Sequence, residues 1–242
     1  MTVRIAVVGL GMALKPHLQS LRELSEAGRV ALAACYTPSI EHRRTFGDAN
    51  PDLPLANDLD AILRDRTIDA VMLLTPPFTH LDLVEKSAAA GKHVLVEKPL
   101  DVTTERARRS VAAAQRAGVR LGVVLQHRFR GAARELADLV ASGALGALVS
   151  GSAAIRWWRD DAYFAQPGRG MKDRDGGGVL MTQAIHTLDL YLSLAGQVAH
   201  FASVIRGEAE VICSGRDGLR TLLVVDALLE SARIGQSVSV GT

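Results

Sequence analysis

Over the first 125 residues, short apolar runs alternate with stretches of helical periodicity, and glycines fall at the joints. Val3 to Val8 is apolar apart from Arg4, as a strand buried in a parallel sheet should be. Leu14, Leu18, Leu21 and Leu24 then recur at helical spacing, and Gly28 stands where a helix-ending glycine belongs. Val30 to Cys35 reads as the second strand. Asn57 and Asp58 can cap a short helix through Leu63. Asp69 to Leu74 is the third apolar run and ends in Thr75-Pro76-Pro77. A helix from His80 to Ala90 stops at Gly91, and Val94 to Val96 is the next strand. Thr103 or Thr104 caps a helix ending near Gly118, and Val119 to Leu125 is a further strand. Strand and helix alternating across such short connections imply a parallel sheet covered on both faces. Right-handed crossovers make it doubly wound, with its ligand site outside the carboxyl ends of the strands. Gly9, Thr75, Glu97 and Gln126 all stand at such ends.

The second half changes character. A helix is expected over 130–142, strands over Leu148 to Trp158 and Val198 to Ile205, and a helix from Val179 to Leu194 after Gly176-Gly177-Gly178. A last helix runs from Gly218 to Arg233. The expected organisation is a Rossmann-type α/β domain over 1–124 and a reduced α+β domain over 125–242.

Several function classes are excluded on composition. Basic and acidic residues balance at 28 to 26, which gives no electrostatic case for nucleic acid or an anionic membrane. No apolar run reaches membrane-spanning length. Cys35 and Cys213 are the two cysteines, and no histidines stand at metal-ligand spacing around them, so no metal site is expected. The opening MTVRIAVVGLG reads as a strand and turn rather than a secretion signal, which makes a cytoplasmic protein the expectation.

Gly9-Leu10-Gly11 follows a strand and opens a helix. Glycine there allows a tight turn and lets backbone N–H groups approach a pyrophosphate at the helix N-terminus. Met12 continues the same turn. The third glycine of the usual fingerprint is replaced by Leu14, so strand and helix context carries the reading. The second strand ends Tyr36-Thr37-Pro38-Ser39, with no acidic residue to bind a ribose 2′-hydroxyl. Thr37, Ser39, Arg43 and Arg44 offer hydroxyls and guanidinium groups instead, which suit a 2′-phosphate and tilt the expectation to NADP over NAD. Both arginines also fit an ordinary helix surface.

Glu97-Lys98-Pro99 ends another strand. Proline holds Lys98 in extended backbone and so aims it, and a lysine there can bind a substrate hydroxyl or move its proton. His186 lies on the helix after the glycine triplet, and Thr182, four residues earlier, shares its face. A histidine facing a cleft is a candidate proton acceptor. Taken singly, a strand-end lysine and a helical histidine are both compatible with structural roles.

Together, VRIAVVGLG (3–11), DAVMLLTPPFTHLDLVEKSAAAGKHVLVEKPL (69–100), LQHRFRGAARELADLVASGALGAL (125–148) and GRGMKDRDGGGVLMTQAIHTLDLYLSLAG (168–196) resemble the glucose–fructose oxidoreductase / inositol dehydrogenase (Gfo/Idh/MocA) family. The resemblance implies that Lys98 and His186 line the nicotinamide and substrate site, that Thr75, Pro76 and His80 border the cofactor, and that Gln126 and Arg128 reach the pocket. Tyr163 and Asp175 fall on the substrate side. The implied activity is hydride transfer between a nicotinamide and a secondary alcohol or ketone of a sugar or polyol. A non-catalytic dinucleotide-binding or scaffold protein is the alternative, and nicotinamide-dependent glycoside hydrolysis a further one.

Two departures stand out. Many members of that family carry aspartate where this chain has Thr182, and a hydroxyl cannot stabilise a charged histidine as a carboxylate does. Only 46 residues follow Gly196, where the family pattern has a broad sheet before its last helix. The pattern implies a sheet missing from its middle, with unpaired edges, weaker stability and altered homo-oligomer assembly.

Overall fold

The computed structural model describes residues 2–146, 150–165, 167–194 and 215–240. The chain divides into two compact units, residues 1–97 with 108–122 and residues 98–107 with 123–242.

A parallel sheet organises the first unit. Its elements are β1 (Val3–Val8), α1 (Leu14–Glu26), β2 (Val30–Tyr36), α2 (Ile40–Ala49), α3 (Leu59–Arg64), β3 (Ala70–Leu73), α4 (His80–Ala89) and β4 (His93–Val96), with most of α5 (Thr104–Arg116) and of β5 (Leu121–Val123). The strand order is β2-β1-β3-β4-β5. β1 pairs in parallel with both β2 and β3, so the direction of winding reverses between β1 and β3. A doubly wound sheet binds its ligand beyond the strand ends at such a reversal. Val8 is in register with Tyr36 on one side and Leu73 on the other, so all three strands finish level.

The core explains why α1 lies where it does. Val7, Leu10, Leu14, Leu18, Leu21, Cys35, Met72 and Leu74 form one buried cluster, joining the helical stripe to the strands. Each buried leucine stabilises by about 1.5–3 kcal/mol relative to exposure. Leu14, the residue in place of the third glycine, is part of this packing and only 3% exposed. The outer edge of β2 is covered by segment 54–56: Cys35 donates to the Pro54 carbonyl and accepts from the Ala56 N–H. Burial pushes the Cys35 thiol up to about 11, so it is an inert core residue.

One helix goes beyond the sequence expectation. α2 buries no residue, so no apolar stripe announces it. It is started instead by Ser39, whose hydroxyl accepts from the His42 N–H.

The second unit begins at Lys98. After β5 come a 3₁₀ turn (Gln126–Phe129), α6 (Gly131–Ala141), α7 (Asp161–Phe164), α8 (Lys172–Asp175), α9 (178–194) and α10 (Gly215–Ile234). Gly176, Gly177 and Gly178 all have φ between 66° and 85°, a left-handed path into α9 that side chains disfavour. Among the described residues that follow β5 there is no strand. This corrects the strand expected over 148–158, since 150–158 is irregular: SGSAAIRWW lacks the strict apolar–polar alternation of a half-buried strand. The strand expected over 198–205 lies outside the described residues. No helix among the described residues is long and apolar enough to cross a membrane.

Candidate functional site

Two sets of residues carry chemistry, one in each unit. In the first, the ends of β1, β2 and β3 open on a cleft of ≈ 610 Å³. Gly9 sits at its floor with φ of 103°, and a Cβ there would meet the Leu74 carbonyl carbon and oxygen at 2.7 Å. No other residue type fits. Gly11, by contrast, has open space where its Cβ would be. α1 begins just beyond, with neither a side-chain cap nor an acidic residue in its first turn. Leu14 donates its N–H to the Gly11 carbonyl at 3.1 Å and Pro16 has none to give, so it is the helix dipole, rather than a full set of free N–H groups, that favours an anion there. A cradle that excludes a side chain at Gly9 and leaves space at Gly11 fits a dinucleotide pyrophosphate.

Thr37, Thr75 and Pro76 line the same cleft. Arg43 Nη1 donates to the Thr37 carbonyl at 2.7 Å, and its guanidinium lies 6.0 Å from the Tyr36 ring centroid. One sequence-selected cation is thus pinned at the end of β2, where a ribose would lie. Ser39 caps α2 and keeps its own hydroxyl proton free to donate. Met12 is exposed on the turn. His80 is fully buried and does not line the cleft; its Nε2 meets the Thr75 carbonyl at 2.9 Å and so shapes the wall from behind. Glu97, at the end of β4, bonds His17 of α1 at 2.8 Å.

The second set is assembled by α9. Residues 180–184 form a π-helical turn, a widened geometry that recurs at functional sites. Within it, the Thr182 carbonyl accepts from Lys98 Nζ at 2.9 Å. The Thr182 hydroxyl turns back to the Gly178 carbonyl at 2.8 Å, so the backbone of Thr182 rather than its side chain holds the lysine. His186, one turn on, is buried, with Nε2 facing the Gln126 amide nitrogen at 3.4 Å. Burial, then the charge of Lys98, pushes His186 down to about 3, so its imidazole is neutral at neutral pH.

Arg128 is committed to carboxylates: Nε and Nη2 clasp Asp189 at 2.7 and 2.6 Å, and Nη1 lies 3.3 Å from Asp217. The bidentate pair fixes the 3₁₀ turn onto α9. Asp175 is likewise occupied, accepting from the Gly170 and Gly177 N–H groups. Tyr163 lies on α7 with Arg159 and Arg169 over its ring at 5.1 and 4.8 Å. The structure therefore brings Lys98, Thr182, His186 and Gln126 together, and turns Arg128 and Asp175 inward. Sequence reasoning missed His127, whose ring centroid lies 5.1 Å from that of His186, and Asp189. Both had a signal: one is a polar residue just past a strand, the other a carboxylate inside the apolar run of a helix.

A switch-point cleft with a glycine cradle defines a dinucleotide-binding α/β protein, joined to a helical unit that presents a lysine–histidine pair. The comparisons narrow this class. Residues 3–125 match the family described as an oxidoreductase family with an NAD-binding Rossmann fold (GFO_IDH_MocA), and residues 133–215 match the GFO/IDH/MocA C-terminal domain. The chain belongs to this family. It is 32% identical over 209 residues to 1-carboxy-3-chloro-3,4-dihydroxycyclohexa-1,5-diene dehydrogenase of Comamonas testosteroni, covering 84% of this chain and 50% of that protein. It is 30% identical over 227 residues to D-apiose dehydrogenase of Paraburkholderia graminis, covering 90% and 59%. The chain thus spans little more than half the length of these relatives. In fold it resembles the WlbA dehydrogenase of Bordetella pertussis, solved with NADH and UDP-GlcNAcA, at a TM-score of 0.82 and 21% identity over 99% of this chain and 98% of that one.

Proposed function

We propose that this chain is a nicotinamide-dependent oxidoreductase acting on a secondary alcohol, or the matching ketone, of a sugar- or polyol-like molecule. The observation that carries this reading is the Lys98–Thr182 bond, which sets an ammonium one helical turn from the buried His186. Family membership, and relatives named as dehydrogenases, support it.

Gly9, Gly11 and the start of α1 would hold the pyrophosphate, and Thr37, Thr75 and Pro76 would border the rest of the dinucleotide. When bound, the nicotinamide supplies two-electron hydride exchange. The protein supplies orientation and proton control. Lys98, steadied by the Thr182 carbonyl, donates to the substrate oxygen and stabilises the negative charge that grows there. Gln126 fixes the orientation of the His186 ring, and His186 takes the hydroxyl proton. Arg128 acts through Asp189 and is a positioning residue for Gln126. Arg43 and Ser39 favour a 2′-phosphate, so NADP is the preferred cofactor.

The test is a fluorescence titration with NADPH and NADH, followed by initial rates on a panel of sugars, polyols and their acids. Tighter NADPH binding with turnover on at least one of them is expected. Cofactor binding without turnover on any would instead favour a non-catalytic dinucleotide-binding protein.

A further inference from the structure

Residues 150–158 follow no regular backbone, yet the segment is fastened at several points in the second unit. The Gly151 carbonyl accepts from the Tyr191 hydroxyl of α9 at 3.0 Å. Trp157 meets His127 at 6.3 Å between ring centroids and an interplanar angle of 74°. His127 in turn lies 5.1 Å from His186. Just beyond, Asp160 starts α7 by accepting from the Tyr163 N–H at 2.9 Å.

Arg159 stands between these anchors. It is exposed, and its guanidinium carbon lies 5.4 Å from the Trp157 ring centroid and 5.1 Å from that of Tyr163. An exposed arginine ordinarily samples many rotamers, but two rings hold this one in place. The N–H donors of a guanidinium lie in its plane, so stacking leaves them for an acceptor. No carboxylate among the described residues pairs with Arg159. Asp160 is used in the α7 cap, and Asp161 lies in the first turn of α7, where the helix dipole favours it. Arg169, 4.8 Å over the Tyr163 ring, adds a second positive charge beside the first. Trp157, 45% exposed, offers an apolar plane of the kind that carries the C–H face of a sugar ring.

We propose that Arg159 is a specificity-determining residue. Held by Trp157 and Tyr163, it takes a carboxylate or phosphate carried by the substrate, whose ring packs on Trp157. Successive ring contacts lead from His186, the proposed base, through His127 and Trp157 to Arg159. The anionic group therefore sits at the end of the molecule away from the reacting hydroxyl. An anionic oxygen group matches both the charge and the paired donors of the guanidinium, and a neutral hydroxyl matches neither in full. The inference rests on the proposed oxidoreductase reading for which hydroxyl reacts, but not for the binding itself.

Calorimetry on the full chain, with and without saturating NADPH, tests this with glucuronate, glucose 6-phosphate and glucose. One anionic sugar should bind about tenfold tighter than glucose or more, and which one identifies the anion. Arg159→Gln should remove that preference, while Arg159→Lys, which keeps the charge but not the stacked fork, should keep only part of it. Arg159 is exposed, so thermal melts of both variants should match the parent. Trp158→Phe leaves Trp157 as the sole tryptophan, and its emission should shift with the anionic sugar and not with equimolar glucose. The proposal is overturned if neither anionic sugar binds more tightly than glucose, if Arg159→Gln keeps the preference, or if the Trp157 emission does not move. An Arg159-dependent preference without oxidation of any sugar would sink the proposed activity and leave this site standing. Oxidation of a neutral polyol with no such preference would do the reverse.

Discussion

Lys98 donates from Nζ to the Thr182 carbonyl at 2.9 Å, and Thr182 precedes His186 by one turn of the same helix. One hydrogen bond thus fixes the spacing between the two groups proposed to handle the substrate oxygen. Lys98→Met and His186→Ala should each lower kcat by about 10²–10⁴, the usual contribution of a positioned acid or base. Cofactor dissociation constants should change little. Steady-state rates beside a fluorescence titration check this, and unchanged turnover in both variants refutes the assignment.

Gly9 and Gly11 should respond differently to the same substitution. Gly9→Ala adds a Cβ 2.7 Å from the Leu74 backbone at a φ of 103°, so the sheet must shift. A loss of about 1–3 kcal/mol of stability is expected, larger if the β1–β3 register moves. Gly11→Ala meets nothing within 4 Å, so its melt should match the parent. Its new methyl enters the space a pyrophosphate would occupy, and cofactor affinity should fall at least tenfold. Thermal melts of the two variants, with and without NADPH, separate the roles.

The contrast shows how much of this protein is legible from its residues. The strands and most sheet-covering helices can be read because each buries a periodic stripe, as Leu14, Leu18 and Leu21 do. α2 cannot, because it buries no residue and depends on the Ser39 cap. Lys98 and His186 stand out by position, Lys98 at a strand end before proline and His186 after a glycine triplet. Their environment does not stand out. Arg128 reads as a residue reaching the pocket until Asp189, far along the chain, is brought within 2.6 Å of it. His80 reads as a cofactor neighbour until its ring is found behind Thr75, wholly buried. Sequence shows which groups are present, and long-range contacts decide which of them are already taken.

Arg43→Ala should change cofactor preference rather than stability. The side chain is held at the end of β2 by the Thr37 carbonyl, and α2 buries nothing that it would disturb. NADPH affinity should fall about tenfold or more, consistent with losing a charge-assisted contact. NADH affinity should stay within about twofold of the parent. Equal losses for both cofactors would place Arg43 outside the 2′-phosphate site.

Asp189→Asn tests the buried network. Asp189 is fully buried, clasped by Arg128 and bonded by Thr221 Oγ1 at 3.1 Å. Removing its charge leaves Arg128, itself 11% exposed, facing Asp217 at 3.3 Å in place of a bidentate clasp. Breaking a buried pair from one side costs about 3–5 kcal/mol. Urea unfolding should show a loss of this order, and Asp189→Asn should also lower kcat because the turn bearing Gln126 loses its anchor.

The pH dependence of stability follows from His186. Its folded pKa is pushed down to about 3 from an ordinary 6.5, chiefly by burial and then by Lys98. Between those values the unfolded chain binds a proton that the folded chain refuses. Stability therefore rises with pH across this window, is fully present above about pH 6.5, and is lost as pH falls toward 3. The slope from one such group approaches about 1.4 kcal/mol per pH unit. His127, also held below its ordinary value by burial, adds to the slope in the same direction. His186→Gln cannot titrate and should flatten the decline. Urea unfolding of parent and variant at a series of pH values from 7 down to 4 measures the difference. Parallel curves would mean that His186 charges as readily in the folded chain as in the unfolded one.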